Sequence, residues 1–209
     1  MKIFFDLDGT LIDSKLRLYG LFQKLVPQSI LTYDEYWEFK MAKISHSMIL
    51  RQVFNLAEID IKLFEDRWME LIETENWLNF DQPFVGITDH LIKLKEKGFL
   101  LHVVTARQFK TKVISQLKLF GWFTLFEKIL VTEQKKNKED LIKPYIEGDE
   151  ENWIVGDTGM DIIVGKKLGI KTIAVLSGFL NKDVLFTYEP DYILENVIEF
   201  DPANKIQFK

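Results

Sequence analysis

The chain has 209 residues, a formal net charge of −5 and no cysteine, enough for one α/β domain with an insertion. The acidic balance argues against non-specific nucleic-acid binding, which favours clustered Lys and Arg, and the lack of cysteine excludes disulfides, thiolate metal sites and thiol nucleophiles. Because the apolar run at residues 3–5 is short and no run approaches the ~20 residues of a membrane helix, we expect a cytoplasmic protein without signal peptide or membrane span.

The first fourteen residues begin with an apolar strand that runs into two acids. Residues 2–7 are predicted to form a buried strand, with Asp6 and Asp8 two positions apart at its end. Side chains alternate along a strand, so both carboxylates leave on the same side. Gly9 and Thr10 follow and predict a tight turn. Two acids at the mouth of a sheet are a demanding arrangement that needs a counterpart elsewhere in the chain.

Residues 15–80 show helical spacing and no alternating strand pattern. The apolar periodicity predicts about four helices. Thr32 and Glu35 form a predicted capping box at the start of one helix. Residues 45–47 are predicted to cap the next helix, 48–56, and residues 61–76 form a further helix. The segment is therefore predicted to be a compact helical insertion.

After residue 81 the pattern alternates between helices and apolar strands. The predicted strands are 99–104, 129–131, 153–155, 171–176 and 191–194, and the predicted helices are 87–97, 109–120, 138–146 and 162–168. Such alternation predicts a parallel sheet covered on both faces. The fold class is α/β, a Rossmann-like doubly wound core formed by residues 1–14 and 81–209, with 15–80 inserted. His102, inside an apolar strand, is predicted to be a core histidine with satisfied hydrogen bonds.

Polar side chains follow several predicted strands at their carboxyl ends, where open α/β sheets bind ligands. They are Asp6, Asp8, Thr105, Asp157 and Asp161, with Lys138 at the start of a helix. Carboxylates so close together repel, and one of them would be forced to bind a proton. A hard divalent cation removes this repulsion, and oxygen ligands favour Mg²⁺. A lysine and a threonine beside the metal suit a bound phosphoryl group.

Four motifs resemble, in the right order, those of the haloacid dehalogenase-like hydrolase superfamily. Residues 6–11, DLDGTL, resemble the first, Thr105 at the end of LHVVTAR the second, Lys138 the third, and residues 156–161, GDTGMD, the fourth. Residues 191–194 resemble the closing strand of phosphoglycolate phosphatase-like members. The resemblance spans essentially the whole chain. Another lysine between positions 135 and 143 remains an alternative for the third motif.

The resemblance implies Mg²⁺-dependent hydrolysis of a small phosphorylated metabolite. Asp6 attacks the phosphorus and forms an aspartyl-phosphate. Asp8 protonates the leaving oxygen and then deprotonates water, so we expect its pKa above that of a free aspartate. Thr105 holds the phosphoryl oxygens and Lys138 neutralises charge. The implied Mg²⁺ ligands are Asp6, the backbone carbonyl of Asp8, Asp157 and, directly or through water, Asp161.

The insertion lies between the first and second motifs, where phosphoglycolate phosphatase-like and phosphoglucomutase-like members carry a helical cap. Such a cap closes over the site and reads the leaving group. Residues 43–51 are its predicted substrate-facing part. The candidate substrate contacts are Gly9, Thr10, Ala106, Arg107, His46 and Arg51. For Arg107 a surface ion pair is an equally good interpretation.

Three alternatives stay open. A phosphomutase would transfer the phosphoryl group to a second substrate, and a phosphonatase would use a cap lysine as a Schiff-base amine. A non-catalytic phosphate-binding module is the third, although such a protein needs no acid at Asp8. The expected partner is a small phosphorylated substrate, with neither nucleic acid nor membrane, and the expected state is a monomer or weak homodimer.

Overall fold

The computed structural model describes residues 1–146 and 151–202, so 147–150 and 203–209 of the predicted core lie outside the described residues. In chain order, the strands are β1 (Lys2–Phe5), β2 (Ile12–Asp13), β3 (Gln82–Pro83), β4 (Leu100–Thr105), β5 (Lys128–Val131), β6 (Trp153–Gly156), β7 (Lys171–Val175) and β8 (Tyr192–Leu194). Within this part of the chain, six of them form a sheet in the order β5-β4-β1-β6-β7-β8. Every pairing in it is parallel, which confirms the predicted α/β fold class.

Helices cover both faces of this sheet. They are α1 (Lys15–Leu25), α2 (Tyr33–Met41), α3 (His46–Gln52), α4 (Glu58–Leu71), α5 (Glu75–Leu78), α6 (Ile87–Glu96), α7 (Lys110–Leu119), α8 (Lys138–Ile142), α9 (Gly159–Leu168) and α10 (Lys182–Phe186). Ile3 and Phe5 of β1 share an apolar cluster with α6 and α7, whereas Phe4 shares one with α8 and α9. Burial on both faces explains why the strands read as continuous apolar runs. Among the described helices, none has the length and apolar character needed to cross a membrane.

Residues 15–78 form five helices around an apolar cluster of their own. Its buried members include Phe22, Tyr36 and Phe64. The predicted capping box at Thr32 is confirmed, and the predicted cap within residues 45–47 is the side chain of Ser45. The helical insertion thus has a separate core, while its predicted boundaries as a domain stay a prediction.

Several helix boundaries differ from those predicted. Residues 61–76 are not one helix, because the hydroxyl of Thr74 donates to the carbonyl of Leu71 and ends α4 there. α8 stops early and continues as a 3-10 turn, since Pro144 has no N–H to continue an α-helix. α9 begins three residues earlier than predicted, because Thr158 and Asp161 form a capping box.

The two connections between sheet and insertion pair with each other. β2 and β3 form an antiparallel ladder, with Ile12 opposite Pro83 and Asp13 opposite Gln82. Strands of two residues are too short to show a periodicity, so the sequence could not predict this ladder. It brings the segment after β1 close to Asp81.

His102 corrects a prediction. Its side chain is buried and its ring stacks on Phe4, with 4.8 Å between the centroids, and lies beside Tyr145. Neither ring nitrogen has a hydrogen-bond partner among the described residues, so the predicted satisfied histidine is wrong. Its surroundings on this face are aromatic rather than polar. Burial lowers the pKa of His102 to about 4, so the ring is neutral at pH 7.

Candidate active site

A cavity of about 290 Å³ lies at the carboxyl ends of the central strands. From the core it is lined by Asp6, Asp8, Thr105, Ala106, Arg107, Gln108, Gln134, Lys138, Thr158, Met160 and Phe179. From the helical insertion it is lined by Arg17, Leu18, Trp68, Met69, Ile72 and Glu73. The catalytic residues implied by the motifs thus share one cavity, which lies between the sheet and the insertion.

Asp6, Asp157 and Asp161 form what we call the acid cluster. One carboxylate oxygen from each lies within 4.8 Å of the others, and all three residues are buried. Lys138 Nζ donates to Asp6 Oδ1 at 2.7 Å and to Asp161 Oδ1 at 2.6 Å. Among the described residues, three carboxylates therefore share one ammonium.

The shortage of positive charge is reflected in the raised pKa values of two carboxylates in this cluster, Asp6 and Asp157. Burial raises the pKa of Asp6 to about 6 against the opposing effect of Lys138, with Asp161 and Asp8 adding to the rise. Burial, Asp6 and Asp161 raise the pKa of Asp157 well above its ordinary value. Burial disfavours the ammonium of Lys138, but Asp161 and Asp6 outweigh it and raise its pKa. The cluster is short of a cation, as carboxylates awaiting a divalent metal would be.

The backbone packs closely around Asp157. Gly9 has φ +80°, and a Cβ there would lie 2.3 Å from Asp157 Oδ2; a Cβ at Gly178 would lie 2.0 Å from it. The Phe179 N–H donates to the same oxygen at 2.8 Å, and the Thr10 hydroxyl lies 3.4 Å from Oδ1. Positions 9 and 178, on either side of this carboxylate, therefore require glycine. These contacts hold the Asp157 carboxylate in its place in the acid cluster. An oxygen donor set of this kind fits Mg²⁺.

Asp8, Asp81, Arg17 and Arg107 form a second group, the arginine cluster. Arg107 binds Asp8 with two nitrogens, Nε to Oδ2 at 2.7 Å and Nη2 to Oδ1 at 2.6 Å, and reaches Asp81 Oδ2 at 2.9 Å. Arg17 Nη2 donates to Asp8, and its Nε lies 3.0 Å from Asp81 Oδ1. The Ser14 hydroxyl also donates to Asp8, at 2.6 Å. Two carboxylates thus share two guanidinium groups.

This balance reverses the expected pKa shift of Asp8. Burial alone would raise its pKa, but the guanidinium groups of Arg107 and Arg17 outweigh burial and hold the pKa below the ordinary range. The prediction of a raised pKa is therefore wrong for this arrangement, because it took no account of the ion pairs that Asp8 forms with Arg107 and Arg17. Asp8 is a carboxylate at neutral pH, and its side chain lies outside the acid cluster.

Most of the predicted site residues lie at or next to the cavity. Thr105, Ala106 and Arg107 line it, and Gly9 and Thr10 pack against Asp157. The structure distinguishes Lys138 from the other candidate lysines of the third motif. Lys138 donates to Asp6, whereas these rivals are exposed. Those rivals are Lys135, Lys136 and Lys143.

Two predicted substrate contacts do not reach this cavity. His46 Nε2 lies 2.8 Å from the Tyr36 hydroxyl, and the ring packs on Trp68 inside the insertion. Arg51 is exposed and forms an ion pair with Glu58 at 2.7 Å. His46 is therefore part of the insertion's own packing, and Arg51 is part of its surface, in this arrangement.

Sequence reasoning missed Arg17, Asp81 and Gln116. Gln116 accepts from Arg107 Nη1 at 2.6 Å and donates to Asp81 Oδ2 at 2.9 Å, so it joins the arginine cluster from behind. One signal was available, because Arg17 stands four positions before the buried Leu21 and so shares its helical face. No local pattern identified its partner at the far end of the insertion.

Known proteins are similar to this chain in sequence and in fold. Residues 3–175 match the family model described as haloacid dehalogenase-like hydrolase. A pyrophosphatase PpaX of Halalkalibacterium halodurans is 26% identical, with 93% of this chain and 92% of the relative aligned. A phosphoglycolate phosphatase of Aquifex aeolicus is 32% identical over 92% of this chain and 91% of the relative. A solved structure of a predicted phosphatase from Clostridium acetobutylicum superposes with a TM-score of 0.74, at 22% identity over 95% of this chain and 94% of that one.

The chain belongs to the haloacid dehalogenase-like hydrolase family, since the family model covers most of it. The predicted resemblance is confirmed, as is the prediction of an enzyme, a hydrolase of the phosphatase type within this family. The superposition with the solved structure shows that the two proteins share the same fold.

Proposed function

We propose that this enzyme is a Mg²⁺-dependent phosphomonoesterase that works through an aspartyl-phosphate on Asp6. The observation that carries the proposal is the position of Asp6, which lines the cavity while Lys138, Asp157 and Asp161 surround its carboxylate. Relatives named as a pyrophosphatase and a phosphoglycolate phosphatase support a small phosphorylated substrate. The cavity volume of about 290 Å³ supports a compact one.

The acid cluster would hold the metal, with the backbone carbonyl of Asp8 as a further proposed ligand. When bound, Mg²⁺ would supply Lewis-acid charge stabilisation for the phosphoryl oxygens. Asp6 attacks phosphorus, and the bond from phosphorus to the leaving alcohol breaks. Lys138 beside Asp6 stabilises the charge on the transferring group. Thr105, buried at the cavity wall, donates to a phosphoryl oxygen.

Asp8 moves the protons in both half-reactions. It gives a proton to the leaving oxygen, and then takes one from the water that attacks phosphorus and releases Asp6. The carboxylate state in which Arg107 and Arg17 hold Asp8 suits the second step directly. The first step requires a proton on Asp8, so these ion pairs must loosen when substrate enters.

Phosphonate hydrolysis is a second candidate because of Lys40. Burial lowers the pKa of this cap lysine to about 8, which makes its neutral amine accessible near neutral pH. It lines a neighbouring cavity that shares Trp68 and Met69 with the main one. Borohydride trapping of a Schiff base between Lys40 and a phosphonate that carries an aldehyde group would support this reaction. Undiminished turnover of that phosphonate in Lys40→Met would exclude it.

Substitution of Asp6 tests the proposed function. Asp6→Asn removes the nucleophile while keeping its shape, so hydrolysis of p-nitrophenyl phosphate in Mg²⁺ should fall more than about 10³-fold. Asp89→Asn, an exposed aspartate on α6, is the matched control and should retain activity. Activity in Asp6→Asn equal to that of the control would overturn the assignment of the nucleophile.

A further inference from the structure

The wall that faces the leaving group is apolar. Four of the six lining residues from the insertion are uncharged, Leu18, Trp68, Met69 and Ile72, and the other two are Arg17 and Glu73. A phosphoryl group placed on Asp6 would direct its ester substituent toward the insertion, because the acid cluster and Lys138 close the core side. This part of the substrate therefore meets hydrocarbon and aromatic surface.

The cations that line the cavity are already committed. Among the described lining residues these are Lys138, Arg17 and Arg107, and each is buried. Lys138 is shared by two carboxylates of the acid cluster. Arg17 and Arg107 each contact both Asp8 and Asp81, and their side chains are only 4% and 3% exposed. An additional anion beyond the phosphoryl group would therefore have to compete with a carboxylate of the protein for any of the three.

The remaining charged group of the insertion has the wrong sign for an anionic leaving group. Glu73 is buried at the cavity wall, and its carboxylate accepts from the backbone N–H of Gln108 at 2.7 Å and of Phe109 at 3.3 Å. A second anion on the substrate would lose its hydration here and gain no counter-ion. Such an uncompensated charge is strongly disfavoured.

We infer that the substrate is a monophosphate ester of a compact, uncharged alcohol whose carbon surface packs on Trp68, Met69 and Ile72. The inference rests on the proposed function and restricts its substrate class. It separates this enzyme from the activities in the names of its relatives, because pyrophosphate and phosphoglycolate carry a second anionic group. Gln108 and Gln134 also line the cavity; their amide nitrogens donate to the carbonyls of Met69 and Ala106, and their amide oxygens suit hydroxyl groups of such an alcohol.

Matched substrates test the inference with the full-length enzyme and Mg²⁺. Benzyl phosphate and 4-carboxybenzyl phosphate differ by one remote carboxylate that barely alters the reacting bond. We expect kcat/KM to be at least about tenfold higher for benzyl phosphate than for the carboxylated ester, pyrophosphate or phosphoglycolate. Equal or faster turnover of any of these three anionic substrates would overturn the inference while leaving the proposed function in place. No hydrolysis of any monoester would overturn the proposed function itself.

A charge placed on the wall gives a second, independent readout. Met69 is 41% exposed, so a change there should leave the fold intact. Met69→Lys should lower the ratio of kcat/KM for benzyl phosphate to kcat/KM for 4-carboxybenzyl phosphate at least about threefold. Met69→Gln, similar in length but uncharged, should leave this ratio unchanged. The same ratio in Met69→Lys and in Met69→Gln would contradict the placement of the leaving group against this wall.

Discussion

The acid cluster and the arginine cluster begin two residues apart on the chain, at Asp6 and Asp8, yet the pKa values of these two aspartates shift in opposite directions. Both aspartates lie just after β1, with Asp6 buried and the side chain of Asp8 16% exposed. In the acid cluster three carboxylates share one ammonium, and the pKa of Asp6 rises, chiefly through burial, to about 6. In the arginine cluster two carboxylates share two guanidinium groups, and these overcome burial and lower the pKa of Asp8. For Asp6 and Asp8 the opposing charges decide the direction, whereas at Asp81 burial outweighs the same two guanidinium groups and raises the pKa.

The two clusters are therefore suited to different tasks. An unbalanced group of buried oxygen donors favours a divalent cation, which restores neutrality. A balanced group fixes a carboxylate by directed ion pairs. The arginine cluster also joins the insertion, through Arg17, to the segment that carries Asp8.

Removing the ammonium of the acid cluster should have the largest effect. Lys138→Met leaves three buried carboxylates without a cationic side chain and takes a positive charge from the proposed phosphoryl site. We expect kcat/KM for p-nitrophenyl phosphate to fall about 10³-fold. Lys135→Met, which changes an exposed lysine of the same segment, should have little effect. Similar steady-state kinetics for the two variants would refute the role of Lys138.

Removing one guanidinium from the arginine cluster should chiefly cost stability. Arg17→Met leaves Asp8 and Asp81 with Arg107 alone, and breaking a buried pair in this way costs about 3 kcal/mol of the free energy of unfolding. Arg51→Met breaks an exposed ion pair in the same insertion and should cost less than about 1 kcal/mol. Urea denaturation measures both. If the two variants were equally stable, the arginine cluster would not be a structural unit.

His102 extends the comparison to a buried group with no paired charge. Burial lowers its folded-state pKa to about 4, below the ~6.5 of an unfolded histidine. The unfolded chain therefore binds more protons between these values, and stability is lost as pH falls from 6.5 toward 4. Protonation of this one group in the unfolded chain should lower the free energy of unfolding by about 2 kcal/mol between pH 7.5 and pH 5. In urea titrations over this pH range, the free energy of unfolding of His102→Phe should fall by that much less than the free energy of unfolding of the wild type. Parallel pH profiles for the two proteins would contradict the assignment.

The sequence predicted the part of the site whose signals are local. Asp6, Thr105 and Asp157 each follow an apolar strand, and in a parallel sheet strand ends of this kind meet at one edge. The same reasoning predicted the α/β fold and the caps of the inserted helices. Lys138 needed more, since only the structure distinguishes it from the exposed lysines beside it.

The arginine cluster could not be predicted in the same way. Arg17 and Asp81 lie at opposite ends of the insertion, and the short ladder of β2 and β3 that brings these ends together has no sequence periodicity. Because the ion pairs of Asp8 with Arg107 and Arg17 were not foreseen, its pKa was expected to rise with burial. The error therefore came from a missing long-range contact, and the physical rule for buried carboxylates was sound.

Calorimetric titration of Mg²⁺ into the full-length protein at pH 7.5 tests the contrast between the clusters most directly. The wild-type protein should bind one ion. Asp157→Asn removes a carboxylate of the acid cluster and should weaken binding at least about tenfold. Asp81→Asn removes one from the arginine cluster and should leave the Mg²⁺ affinity close to wild type. Unchanged affinity in Asp157→Asn, or equal losses in the two variants, would contradict the assignment of the metal to the acid cluster.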